Sequence, residues 1–90
     1  MKKISNPQIG RIQSDFVSQI ENGANDLLNE YINKMISMGH QFDDVVYCIS
    51  YATYKRIDAA YEANRNDVHI DMKSLIREAE ELIKSNDPLF

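Results

Sequence analysis

Residues 42–64 read FDDVVYCISYATYKRIDAAYEAN, and this stretch decides the fold. Asp43 and Asp44 open it, placed where the positive end of a helix dipole favours carboxylates. At about 100° per residue, Phe42, Val45, Ile49, Thr53, Ile57 and Ala60 fall on one stripe. Tyr47, Tyr51, Tyr54 and Tyr61 form a second stripe about 140° round the axis, with Asp58 inside it. Only Asp44, Lys55 and Glu62 are left as a polar remainder. A helix that is apolar on more than one side must be covered on more than one side. The spacing therefore predicts a helix over about 43–64, sandwiched between neighbours.

Toward the N-terminus, Asn6-Pro7 is a helix start: a capping side chain followed by proline at the first helical position. From there Ile9, Ile12, Phe16, Ile20, Ala24, Leu27, Tyr31, Met35 and Met38 recur at a mean spacing of about 3.6, the period of a straight helix. The stripe keeps its phase through Asn22-Gly23, a pair that otherwise signals a stop and restart. The unbroken phase favours one helix over about 7–38, with Gly23 in its interior at a cost of about 1 kcal/mol. The alternative is two helices that break at 22–25, with Asn25 or Asp26 capping the second. A continuous helix would be about 48 Å long, longer than the body of a chain whose radius of gyration should be about 12 Å. It would leave an end to be covered by a second chain, which is the first reason to expect a homo-oligomer.

Gly39-His40-Gln41 closes that segment, with Gly39 at the stop position. Toward the C-terminus, Asn64, Asn66 and Asp67 supply turn chemistry. Asp71 then caps a helix to about Ser85, on which Met72, Leu75, Ile76, Ala79, Leu82 and Ile83 repeat at three and four. Asn86-Asp87-Pro88 ends it and leaves Leu89 and Phe90 as an apolar tail. The expected fold is one all-α domain over 1–90: an antiparallel three-helix arrangement (helices about 7–38, 43–64 and 71–85), or four helices if the first breaks near Gly23.

Composition narrows the function classes. The chain is 43% hydrophobic and 27% charged, which fits a folded domain and not a disordered one. No apolar run approaches the roughly 18–20 residues that span a bilayer. No hydrophobic signal region follows Lys2 and Lys3, and the single Cys48 forms no internal disulfide, so the expected setting is cytoplasmic. The residues one turn from Cys48, Asp44 and Ala52, supply no cation to activate a thiol, and Cys48 reads as a small buried hydrophobe. The net charge of −4 includes no basic block to neutralise phosphates, which argues against nucleic acid as a partner. An interfacial membrane helix would need lysines and arginines flanking an apolar face, and no helix here has that pattern.

No spacing of His, Cys, Asp or Glu points to a metal, and the isolated Gly10, Gly23 and Gly39 build no phosphate loop. No cofactor and no catalytic residue is expected. One local pattern has a counterpart. Arg65-Asn66-Asp67-Val68-His69 resembles the Arg-Asn…His signature of HEPN-type ribonucleases, helical proteins with composite dimer sites, although three residues separate Arg65 from His69 where that family has four to six. The resemblance implies RNA cleavage through His69.

The tyrosines leave three readings open. They could pack against the third helix while the aliphatic face meets the first, with their hydroxyls at the helix flank. They could lie at a subunit or partner surface, where tyrosine offers wide contact at low entropy cost. Or they could stack on a planar, nucleotide-like ligand. Asp58, one turn from Tyr54 and Tyr61, is the expected acceptor for a tyrosine hydroxyl, and Arg56 is expected to reach solvent or a carboxylate on the next helix. The candidate interface or ligand surface is accordingly Tyr47, Tyr51, Tyr54, Asp58 and Tyr61, with Arg56, Leu89 and Phe90. The expected function is that of a small, acidic, non-enzymatic interaction protein, oligomeric, which binds and blocks or regulates a partner protein. Inhibitors, immunity proteins, anti-defence factors and regulators share that size and class, an analogy at the level of fold only. A small-ligand-binding oligomer is the second expectation.

Overall fold

The structure is a computed structural model that describes residues 3–64 and 70–85. It holds four helices: α1 (Pro7–Asn22), α2 (Asp26–Ser37), α3 (Phe42–Glu62) and α4 (Met72–Ser85). The described residues contain no strand. Helix α3 lies at the centre and packs against all three others, and α2 also packs on α4.

The expected continuous first helix is two helices. Gly23 adopts φ 62°, ψ 27°, the left-handed conformation that ends a helix. Its N–H donates to Ile20 O, and the Ala24 N–H donates to Gln19 O at 3.1 Å. These are the two bonds of a Schellman stop. Asn25 restarts the chain in an extended conformation, and its side-chain oxygen accepts from the Leu28 N–H at 3.1 Å. Beyond the break the expected stripe holds only in part: Ile9 and Phe16 of α1 and Tyr31 and Met35 of α2 are buried as expected, but α2 also turns Leu28 and Ile32 inward and leaves Leu27 39% and Met38 50% exposed. A run of evenly spaced apolar residues thus spans two helices that each face α3 on their own terms. The length argument for a second chain goes with it: the molecule measures 39 × 30 × 22 Å, and no helix outreaches the body.

The second stop fell where the sequence placed it. Gly39 has φ 95°, and the pair Gly39 N–H to Ile36 O and His40 N–H to Met35 O repeats the Schellman pattern. Helix α3 ends at Glu62, slightly before its expected limit, with Asn64 in the left-handed region at φ 56°.

The sandwiched reading of α3 holds for its N-terminal half. Every residue from Val45 to Thr53 is buried. Two of these are polar, and both satisfy themselves within the helix: Ser50 Oγ donates to Val46 O at 2.7 Å, and Thr53 Oγ1 donates to Ile49 O at 2.8 Å. From Tyr54 onward cover is partial, and Ile57, expected on the core stripe, is 40% exposed. Tyr31 ties α2 to α3 by donating from its hydroxyl to Val45 O at 2.8 Å. At the rim, Lys34 of α2 pairs with Glu80 of α4 at 3.2 Å, and the expected Glu80–Lys84 pair is present at 4.0 Å.

The break gives opposite signs to one substitution. In a helix interior, Gly23→Ala would stabilise by about 1 kcal/mol. At a left-handed cap it should instead destabilise by about 1 kcal/mol. Urea unfolding of Gly23→Ala, with Asn25→Ala expected to lose about 1 kcal/mol beside it, decides between the two geometries.

Candidate interaction surface

The six candidates on α3 part company. Tyr47 and Tyr51 are 2% and 7% exposed and belong to the core, whereas Tyr54 is half-buried and Tyr61 is 81% exposed. Nor does this face pack simply on α4, as core packing of the tyrosines would have it. Tyr47 is covered by the extended segment before α1: the Ile4 N–H donates to its hydroxyl oxygen at 2.8 Å. Lys3 Nζ sits 6.0 Å from the Tyr47 ring centroid and pairs with Asp44 at 2.9 Å. Tyr51 stacks on Tyr47, with ring centroids 6.1 Å apart and planes 22° apart, and Lys55 Nζ lies 5.7 Å from the Tyr51 ring. Burial raises the Tyr51 hydroxyl above its ordinary pKa, and Tyr47, Glu78 and Tyr54 add to the shift. Neither ring is open for a planar ligand to stack on.

Tyr54 and Tyr61 face α1 instead. The antiparallel run of α1 against the C-terminal half of α3 leaves a groove of two adjoining hollows, about 200 and 190 Å³. Ile12, Tyr54, Ile57 and Tyr61 form its apolar strip, with Gln8 and Arg11 on the α1 flank and Asp58 on the α3 flank. Asp58 was expected to accept from a tyrosine hydroxyl. Among the described residues it does not, because Tyr61 projects into solvent and the carboxylate is itself exposed. Arg56 lies off the groove: its guanidinium reaches Glu78 of α4 at 3.1 Å and the Ala52 carbonyl at 3.4 Å, so it ties α3 to α4. Leu89, Phe90 and the stretch Arg65–His69 that carries the ribonuclease resemblance lie outside the described residues.

Two further hollows flank the bundle. The larger, about 570 Å³, lies between α1 and the start of α3, where Gly10, Ser14, Val17, Phe42 and Val46 meet Lys3. Its lysine is already paired with Asp44, and among the described residues no buried polar side chain is left unsatisfied to receive a ligand. The other, about 240 Å³, lies between α2 and α4 over Leu27, Tyr31 and Ile76, rimmed by Glu30, Lys34 and Lys73. Sequence reasoning missed both Leu27 and Ile57 as surface residues, since each was assigned to a core stripe that the helix does not bury at that point. No group of three His, Cys, Asp or Glu side chains among the described residues converges as a metal site. Cys48 is fully buried, and its pKa is pushed up to about 12, chiefly by burial and then by the charge of Asp44.

Two outcomes follow from this packing. Tyr47→Phe removes the acceptor for the Ile4 N–H and should cost about 1 kcal/mol, with faster hydrogen exchange at the Ile4 amide as its local sign. The Cys48 thiol ionises near pH 9 in the unfolded chain and near 12 in the folded one. Between those values the unfolded state binds fewer protons, so stability falls as pH rises. Cys48→Ala should therefore show a shallower alkaline loss of stability than the parent, read as urea midpoints from pH 8 upward. Compared with known protein families, curated proteins and solved structures, the chain gives no match.

Proposed function

We propose that this chain is a non-enzymatic interaction protein that binds a partner protein and blocks or regulates it by occupying its surface. The observation that carries the reading is apolar side chains left in solvent at two hollows on different flanks: Ile57 and Tyr61 at the α1–α3 groove, and Leu27 at the α2–α4 hollow. Tyr61 at 81% exposure is the extreme case. A large aromatic ring gains little by standing in water and much by being covered, and tyrosine is among the side chains that dominate protein interfaces. Charged and polar side chains flank the apolar ones at both hollows, Gln8, Arg11 and Asp58 at the first and Glu30, Lys34, Lys73 and Glu80 at the second, a mixture that protein contacts share. An inhibitor, an immunity or anti-defence factor and a regulator all work in this way with no chemistry of their own, and the acidic balance of −4 suits a basic partner surface.

A photoreactive amino acid placed at position 61 or 27, in the organism that makes the protein, reads this directly, with position 81 on the polar face of α4 as the control. The expected result is a covalent adduct to a different protein from at least one of the two positions and none from the control. Adducts to nucleic acid alone, to this chain alone or to nothing would overturn the reading.

A further inference from the structure

The α1–α3 groove carries its own complement. Its apolar strip, Ile12, Tyr54, Ile57 and Tyr61, runs between one cation and one anion, Arg11 on the α1 flank and Asp58 on the α3 flank. Arg11 lines one hollow and Asp58 the other, and Ile57 lines both, so the two charges lie within about a helical turn of each other along the groove. Both are exposed, and among the described residues neither forms an ion pair. The groove is thus a locally neutral patch on a chain whose net charge is −4, so a second copy meets no net charge there.

We infer that this groove is filled by the same groove of a second copy, related by a two-fold axis parallel to α3. Such an interface is isologous: the same patch serves both sides, and each contact occurs twice. The axis sets Arg11 of one protomer against Asp58 of its partner, and Asp58 against Arg11, while the apolar strips close on each other. It also sets α1 of each protomer beside α3 of the other. A rotation about an axis parallel to the helices keeps their directions, so α1 runs antiparallel to its partner's α3 as it does to its own. The four helices around the axis then form a bundle in which every neighbouring pair is antiparallel and the helix dipoles oppose. Tyr61, the most exposed large apolar side chain among the described residues, and the 40% exposed Ile57 lie at its centre. A second copy is favoured over a basic partner for this groove because the groove shows one charge of each sign in the order that its own image matches. A uniformly basic surface would meet Arg11 as a like charge. The α2–α4 hollow remains for a different protein.

The inference rests on the groove being a protein-contact surface, and charge exchange tests it separately from that reading. Arg11→Asp gives a groove with two anions, and Asp58→Arg gives one with two cations. Sedimentation of the full chain at micromolar concentration should show the parent at twice the 10.4 kDa chain mass. Each variant alone should dissociate at roughly tenfold or more higher concentration, since like charges then face each other at both ends. An equimolar mixture should return to the dimer mass as a mixed pair. Circular dichroism of each variant, expected unchanged because both positions are exposed, separates lost pairing from lost folding. A monomeric parent overturns the inference, and so does a dimer indifferent to both substitutions, or a mixture that fails to recover. A monomeric parent whose residue-61 cross-linker still captures another protein removes the second copy but keeps the groove as a contact surface. A monomer with no adduct at 61 or 27 removes both.

Discussion

A helix with no polar side needs cover all round, and this requirement organises the molecule. From Val45 to Thr53, α3 is buried at every position, which no single neighbour can achieve. A helix about 10 Å across needs several elements around it, and a chain of this length supplies them only by folding its N-terminal third into two separate helices. The Schellman stop at Gly23 and the cap at Asn25 are the means. They let α1 and α2 approach α3 from different directions, where a straight rod would cover one side and overhang the rest.

The remaining cover comes from a segment with no regular structure. Residues before α1 run across the tyrosine face, and Tyr47 gives up its exposed position by accepting the Ile4 N–H. The hydrogen bonds of the core follow one economy: Tyr31, Ser50 and Thr53 all donate to carbonyls of α3 itself, so among the described residues burial leaves no polar side chain unpaired. Burial also explains the chemical quiet of the interior. The one thiol and the hydroxyls of Tyr31 and Tyr51 are pushed above their ordinary pKa values chiefly by burial, the direction expected of acids moved out of water.

Where cover runs out, the surface begins to look functional. On the side of Ile57 and Tyr61 the C-terminal half of α3 faces α1, which offers Gln8, Arg11 and Ile12 there, too little to close over them. The same helix is therefore core at one end and partly exposed at the other. Arg56 marks the change on the opposite side, where a single ion pair to Glu78 replaces the close packing of the buried half.

The sequence by itself determined the class and most of the helix ends. Asn6-Pro7, Gly39, the Asp43-Asp44 pair and Asp71 each act through backbone geometry or charge within a turn of their own position, so local reading suffices for them. It also determined that α3 is sandwiched, because the angular spread of its apolar residues is a property of one helix alone. What the tertiary structure decided is everything that compares one element with another. Gly23 could end a helix or sit inside one at similar local cost, and only the need to cover α3 from two directions selects the break. Leu28 is buried and its neighbour Leu27 is not once α2 takes its own angle, so the even spacing foretold burial at Ile9, Phe16, Tyr31 and Met35 but not the exposure of Leu27 and Met38. Tyr47 and Tyr61 are alike in sequence pattern and opposite in fate, since what covers the first is an irregular segment that carries no period to read, and nothing among the described residues closes over the second.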